Sequence, residues 1–99
     1  MKVLLLDDER SARETIKIYL DRFPLVDFEI REASNISEAY DHLKDFRPDF
    51  ALLDINLQQG TSFDFLSLVG LDAISFKIIF ITAFNDYAVK AFKFNAIDY

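Results

Sequence analysis

The fold is decided by the stretch Val3-Leu4-Leu5-Leu6-Asp7-Asp8, an apolar run that ends in two adjacent carboxylates. A second run of this kind, Phe50-Ala51-Leu52-Leu53-Asp54, lies near the middle of the chain. Short continuous apolar runs are typical of strands that are buried on both faces of a parallel sheet. If these two strands are neighbours, their carboxyl ends lie at the same edge of the sheet. The sequence therefore predicts that Asp7, Asp8 and Asp54 meet in one crevice.

Strand and helix patterns alternate along the rest of the chain. Strands are predicted at residues 2–6, 27–32, 49–53, 76–81 and 96–99, and helices at 9–23, 35–46, 61–69 and about 85–94. Asn35 with Glu38, and Thr61 with Asp64, have the spacing of N-terminal capping boxes. This alternation, with right-handed crossovers, predicts an α/β fold in which helices cover both faces of a parallel five-stranded sheet.

The last predicted strand runs to Tyr99, the final residue of the printed sequence. A doubly wound sheet of this size normally has one more helix after that strand. We therefore expect a single domain, residues 1–99, that is incomplete at its C-terminus, with a partial last strand and a missing last helix. We also expect an apolar patch on the sheet face where the first helix packs, covered by self-association or by a partner segment.

Composition and charge exclude several classes of function. The 99 residues are 52% hydrophobic, which is enough for one small domain with a single core. The apolar runs are far shorter than the ~20 residues of a membrane-spanning helix, so no membrane partner is expected. A net charge of −6 without a run of Lys or Arg argues against direct nucleic-acid binding. The absence of cysteine fits a reducing compartment, and the cytoplasm is the expected location.

The three carboxylates have a definite chemical use. Carboxylates within ~4 Å of one another repel by about 4 kcal/mol per pair at an effective dielectric of 20, and only a cation or a proton relieves this. Oxygen ligands without His or Cys favour Mg²⁺, which also accepts phosphate oxygens. Asp54 stands alone at its strand end and is the candidate nucleophile toward phosphorus, while Asp7 and Asp8 share the metal. Thr82, directly after the fourth strand of the sheet, offers a hydroxyl to an anionic oxygen.

Each of these residues also has an ordinary structural interpretation. Asp7 and Asp8 could complement the dipole of a helix start, Asp54 could end its strand in an Asx turn, and Thr82 could cap a helix. Taken together, acids at the ends of two central strands and a hydroxyl at a third favour a site. His42, the only histidine, is interpreted as a surface residue because no nucleophile of matching geometry can be inferred.

Three motifs carry a family resemblance: Leu4-Leu5-Leu6-Asp7-Asp8-Glu9, Leu52-Leu53-Asp54-Ile55 and Phe80-Ile81-Thr82-Ala83. Together they resemble the receiver domain of bacterial response regulators. Residues 54–64 and 81–92 further resemble the subfamily whose receivers precede a LytTR-type DNA-binding domain. The resemblance implies a flavodoxin-like sheet with strand order 2-1-3-4-5, truncated here before the fifth helix.

The same resemblance implies a role for each site residue. Asp54 accepts a phosphoryl group from a phosphohistidine on a sensor histidine kinase. Asp7, Asp8 and Asp54 hold Mg²⁺ together with the backbone carbonyl of Asn56. Thr82 hydrogen-bonds the phosphoryl group, and Tyr99, the switch aromatic, turns inward.

The resemblance further implies a signalling domain of a two-component system rather than an enzyme. A LytTR-type DNA-binding domain that regulates transcription is expected in a full-length relative and is absent here. Homodimerisation is expected through the face of the fourth helix.

Two other functions stay open at this point. In the family, a Lys that contacts the phosphoryl group lies three residues after the switch aromatic, and this position is past Tyr99. Without that Lys, the main alternative is a phosphorylation-independent protein-interaction module that retains the acidic pocket. A phosphatase with an Asp nucleophile is the other. It is disfavoured because such enzymes usually have a second acid two residues after the nucleophile, where this chain has Asn56.

Overall fold

The computed structural model describes residues 1–81 and the strand at residues 96–98. Its elements are β1 (Lys2–Leu6), α1 (Arg10–Asp21), β2 (Glu29–Ala33), α2 (Ile36–His42), β3 (Phe50–Leu53), β4 (Asn56–Leu57), β5 (Gly60–Thr61), α3 (Ser62–Val69), a 3₁₀ turn (Leu71–Ala73), β6 (Lys77–Phe80) and β7 (Ala96–Asp98). The predicted helix at about 85–94 and the predicted site residues Thr82 and Tyr99 lie outside the described residues. Among the helices within residues 1–81, none has the length and apolarity that crossing a bilayer requires.

Five strands form one parallel sheet in the order β2-β1-β3-β6-β7. Leaving aside the separate two-stranded hairpin β4–β5, this is the predicted order 2-1-3-4-5, which is confirmed. In the register of the sheet, Leu6 lies opposite Leu53, and Leu53 lies opposite Phe80. The three central strands therefore end level with one another, and the residues that follow them leave the sheet at the same edge.

The apolar side chains of the sheet divide between its two faces, as strand geometry requires. Leu4 and Leu6 belong to a core cluster shared with α2 and α3, whereas Val3 and Leu5 pack with α1 on the opposite face. The larger cluster also contains Ala33, Ala39, Ala51, Leu53, Ile55, Phe63, Phe65, Leu66, Phe76, Ile78 and Phe80. Helices thus cover both faces, and the prediction of a doubly wound sheet is confirmed.

The face under α1 has the smaller core. Ile16 and Leu20 of α1 are half-buried against Val3, Leu5 and Leu52, and α1 has no fully buried residue. Val3, Leu5 and Leu52 are at most 6% exposed, whereas the sheet residues around them, Ile30, Phe50 and Ile79, are only half-buried. In the described part of the chain this face therefore keeps some exposed apolar surface at the edge of the cluster, and self-association through it stays a prediction.

The two predicted capping boxes have different outcomes. At the start of α3, Thr61 Oγ1 accepts a hydrogen bond from the Asp64 amide, and Asp64 Oδ2 accepts one from the Thr61 amide, so this box is confirmed. At the start of α2, Asn35 Oδ1 accepts from the Glu38 amide at 2.8 Å. The Glu38 carboxylate, however, binds the amide and hydroxyl of Ser34 rather than the Asn35 amide. The second half of that box is therefore shifted by one residue.

Helix α2 ends at His42, four residues before the predicted end at residue 46. Leu43 and Lys44 donate to carbonyls three residues back, which tightens the chain after the helix. This turn buries Phe46, whose ring is 1% exposed and lies 4.6 Å from the Arg31 guanidinium. The Phe46 amide still donates to the His42 carbonyl at 2.9 Å, so one helical contact continues to residue 46 after the regular helix has ended.

Candidate metal centre

The three predicted carboxylates lie together at the carboxyl edge of the sheet. Asp7 follows β1 and its amide donates to the Ala33 carbonyl at 3.1 Å, while the Asp54 amide donates to the Leu6 carbonyl at 2.9 Å. These bonds continue the sheet ladder one residue past the strand ends. One carboxylate oxygen from each of Asp7, Asp8 and Asp54 lies within 4.8 Å of the other two. The prediction that these residues meet in one crevice is confirmed.

The electrostatics of this cluster are unfavourable without a cation. Asp7 is 6% exposed, and Asp8 and Asp54 are half-buried. Burial, followed by the negative charges of Asp7 and Asp8, raises the pKa of Asp54 to about 6. The pKa of Asp7 is also raised, mainly by burial, although its hydrogen bond from the Glu9 amide acts in the opposite direction. The cluster therefore favours binding of a proton or a metal ion.

Asp7 is held by partners at both its side chain and its main chain. Its Oδ1 accepts a hydrogen bond from the Glu9 amide at 2.9 Å, and its carbonyl accepts one from Arg13 Nη1 at 2.7 Å. The sequence analysis missed Arg13. The only available signal was its position in the first turns of the predicted helix that follows the two carboxylates.

The loop after Asp54 is held by Ser62, the first residue of α3. The hydroxyl of Ser62 donates to the Asp54 carbonyl, and its amide donates to the Ile55 carbonyl at 2.9 Å. Ser62 is fully buried, and the sequence analysis missed it as well. Asn56 is exposed and starts β4 two residues after Asp54, and the role of its backbone carbonyl in the site stays a prediction.

The donor set fits Mg²⁺. Three carboxylates without a nitrogen or sulfur ligand are typical of a magnesium site that leaves positions for water and phosphate oxygens. A polar pocket of about 220 Å³ opens beside Asp8 and is lined by Asp8, Ser34, Asn35, Ile36, Leu57, Gln58 and Gln59. A larger pocket of about 430 Å³ lies between α2 and residues 69–76, and it contains none of the three carboxylates. Chemistry rather than pocket size therefore identifies the site.

His42 is less exposed than its interpretation as a surface residue implies. His42 is half-buried, and its Nε2 lies 2.8 Å from the Glu32 carbonyl. This contact ties the end of α2 to β2. The sequence could not show it because the two residues belong to different elements.

A doubly wound parallel sheet with a cluster of three carboxylates at the ends of its central strands defines a class of α/β domains with an acidic site at the carboxyl edge of the sheet. Within that class, the family model described as the response regulator receiver domain matches residues 3–99. The chain belongs to this family of signalling domains. The resemblance inferred from the strand-end motifs is confirmed.

Individual relatives agree with this assignment. The sensory transduction protein LytT of Bacillus subtilis is 37% identical over 99 residues, which cover all of this chain and 41% of the relative. The transcriptional regulatory protein BtsR of Escherichia coli is 33% identical over 99 residues, again all of this chain and 41% of the relative. The chain thus spans about two fifths of the length of the curated relatives it matches. The similarity to LytT- and LytR-type response regulators bears out the predicted subfamily.

Solved structures give the same result for the fold. The response regulator TrrA from Thermotoga maritima, in complex with Mg(2+)-BeF, superposes with a TM-score of 0.82 at 26% identity, covering 99% of this chain and 83% of that one. The MaeR response regulator bound to beryllium trifluoride has a TM-score of 0.78 at 26% identity, covering 100% of this chain and 82% of that one.

Proposed function

We propose that this domain accepts a phosphoryl group on Asp54 from a phosphohistidine of a sensor histidine kinase, in a reaction that depends on Mg²⁺. The observation that carries the proposal is the cluster of Asp7, Asp8 and Asp54, whose oxygens lie within 4.8 Å of one another. Three negative charges held this closely by strand ends have little structural benefit, because they raise the pKa of Asp54 instead of stabilising the fold.

Asp54 is the nucleophile in this proposal. One of its carboxylate oxygens attacks the phosphorus, the new O–P bond forms as the P–N bond breaks, and the electron pair of the broken bond returns to the imidazole nitrogen. A Mg²⁺ ion held by Asp7, Asp8, Asp54 and the Asn56 carbonyl would offset the repulsion between the carboxylate and the phosphoryl oxygens. A pKa of about 6 leaves Asp54 mainly ionised at neutral pH, the form that a nucleophile needs.

Two residues outside the described part of the chain complete the proposed response. Thr82 donates a hydrogen bond to the phosphoryl group, and Tyr99 turns inward to fill the space that Thr82 vacates. The change reaches the surface of the predicted fourth helix, where we propose that two copies associate. In full-length relatives the output would be a LytTR-type DNA-binding domain that regulates transcription, and the proposed setting is the cytoplasm.

The structures of relatives support the chemistry. Beryllium fluoride mimics a phosphoryl group, and the TrrA structure contains it with Mg²⁺, while MaeR is bound to beryllium trifluoride. Both relatives share the fold of this chain over nearly its whole length. The same pair of ligands is therefore the natural probe for this protein.

Mass spectrometry tests the acceptor directly. Incubation with Mg²⁺ and acetyl phosphate should add one phosphoryl mass to the wild type and none to Asp54→Asn. Asp72→Asn is the matched control, because Asp72 is exposed in the 3₁₀ turn at the other end of α3 from Ser62. It should be phosphorylated like the wild type. An adduct on Asp54→Asn would refute the assignment of the acceptor.

A thermal shift assay separates phosphotransfer from the interaction-module alternative. Mg²⁺ with beryllofluoride should raise the melting temperature beyond Mg²⁺ alone, since a ligand that binds only the folded state stabilises it. If the mimic adds no stability and no phosphoryl adduct forms, the protein is a module that retains the acidic pocket without phosphotransfer.

A further inference from the structure

We propose that Arg13 is a positioning residue for the metal-binding turn at residues 7–8, and that Glu32 holds Arg13 in place for this task. Arg13 Nη1 donates to the Asp7 carbonyl at 2.7 Å, and Arg13 Nε donates to Glu32 Oε1 at 3.1 Å. One guanidinium thus connects the residue after β1 with the end of β2. Arg13 has this role only if the carboxylate cluster binds Mg²⁺, so the inference rests on the proposed function.

The carbonyl that Arg13 binds belongs to the peptide group between Asp7 and Asp8. A peptide group is planar, so fixing the direction of its carbonyl also fixes the direction in which Asp8 leaves β1. The amide of Asp7 is already held by the Ala33 carbonyl, and its Oδ1 by the Glu9 amide. Arg13 therefore adds a constraint on the relative orientation of the two proposed ligands that neither of these bonds supplies.

The guanidinium suits this task because its donors are held in one rigid plane. The Arg13 side chain is only 15% exposed, so water competes little for its hydrogen bonds. The second carboxylate oxygen of Glu32 is bound by Lys17 Nζ at 3.0 Å. Glu32 is therefore bound by two cations from α1, each through a different carboxylate oxygen, so its contact with Arg13 does not depend on Lys17.

Charge and positioning predict opposite effects on the affinity for Mg²⁺. As a bare cation near the carboxylates, Arg13 would repel Mg²⁺, and its removal would tighten binding. As a positioning residue, Arg13 pre-organises Asp7 and Asp8, and its removal should weaken binding. Outer-shell partners of metal ligands typically contribute 10- to 100-fold in metal affinity. The sign of the change in the dissociation constant therefore distinguishes the two roles.

The test is isothermal titration calorimetry with Mg²⁺ on the wild type, Arg13→Met, Arg13→Lys and Lys17→Met. We expect Arg13→Met to weaken binding by about tenfold, the low end for an outer-shell partner. Arg13→Lys conserves the charge, but an ammonium lacks the rigid plane of donors with which the guanidinium binds the Asp7 carbonyl and Glu32 together. This variant should therefore also bind Mg²⁺ more weakly than the wild type. Lys17→Met removes a cation from the same carboxylate without touching Asp7, and it should bind at least as tightly as the wild type.

Amide shifts of Asp8 and Glu9 in NMR spectra of the metal-free protein give a second readout. They should move in both Arg13 variants and stay in place in Lys17→Met. Unchanged or tighter Mg²⁺ binding by both Arg13 variants would overturn the positioning role, and so would equal weakening in Lys17→Met. Absence of Mg²⁺ binding by the wild type would instead refute the proposed function. If Arg13→Met does not fold, Arg13→Lys decides the question alone.

Discussion

Replacing the proposed phosphoacceptor should stabilise the metal-free protein. In the folded state the pKa of Asp54 is about 6, compared with the ordinary value of 3.8, so the folded chain binds this proton more tightly than the unfolded chain does. As pH rises from about 3.8 to 6, the unfolded state ionises first, and the folded state loses stability. Above about pH 6 the full penalty persists. Asp54→Asn removes it, because asparagine has nearly the same shape without the charge.

The size of the effect follows from the pKa. A change of one pKa unit corresponds to about 1.36 kcal/mol, so the rise from 3.8 to about 6 sets an upper figure of roughly 3 kcal/mol. Asp54 is half-buried, and water and salt screen part of the repulsion, which reduces the expected gain to about 1–2 kcal/mol. In a domain of this size, about 1 kcal/mol shifts the melting temperature by roughly 4–8 °C.

Thermal unfolding followed by circular dichroism in EDTA measures this gain. Asp54→Asn should melt above the wild type near pH 7, and the difference should become small near pH 3.5, where Asp54 is protonated in the folded state and mostly protonated in the unfolded state. Asp72→Asn, an exposed change of the same charge away from the cluster, should leave the melting temperature nearly unchanged. Mg²⁺ should narrow the gap because it stabilises the wild type more than the variant.

Two results would refute the reasoning. If Asp54→Asn melts at or below the wild type near pH 7 without metal, the repulsion within the cluster is not a significant cost to the fold. If Asp72→Asn gains as much as Asp54→Asn, the gain comes from the net charge of −6 rather than from the cluster.

Three further outcomes are expected. Mg²⁺ competes with the proton on Asp54, so the dissociation constant for Mg²⁺ should fall about fivefold between pH 5 and pH 6 and level off above pH 7, and a flat calorimetric profile would contradict the raised pKa. Thr61→Ala removes the cap of α3 and should cost about 1 kcal/mol in urea unfolding, whereas Thr61→Ser should cost little. Gly60→Ala should cost about 1–3 kcal/mol, because Gly60 has φ 104° and a Cβ there would lie 2.9 Å from Asp64 Oδ2. Gly70→Ala, with φ 89° and open space around it, should cost less; an equal loss would mean that the contact with Asp64 is unimportant.

The sequence was enough to place the carboxylate cluster because two strong rules combine there. Strands buried on both faces leave continuous apolar runs, and the parallel order of neighbouring strands brings the residues after those runs to one edge. Leu6 and Leu53 are indeed opposite each other in the sheet, so Asp7 and Asp54 leave it side by side. Neither rule depends on details of side-chain packing. The predicted position of the carboxylates therefore stays correct even if the predicted strand ends are wrong by a residue.

Contacts that support the cluster could not be predicted in the same way. The Arg13–Glu32 pair joins residues 19 positions apart, and the bond from the Ser62 hydroxyl to the Asp54 carbonyl depends on how the loop between β3 and α3 folds. That loop forms the hairpin β4–β5, whose strands have two residues each, too short for any period to be visible in the sequence.

Stability and function oppose each other at this edge of the sheet. Main-chain bonds from the Asp7 and Asp54 amides, together with Arg13 and Ser62, hold the carboxylates in place although their charges repel. A site held in this way is already shaped for a cation before the cation arrives, so little binding energy is lost in ordering it. It also follows that a bound cation must stabilise the fold by relieving the repulsion. The melting temperature of this domain should therefore report directly on the occupancy of its site, for Mg²⁺ and for a phosphoryl mimic alike.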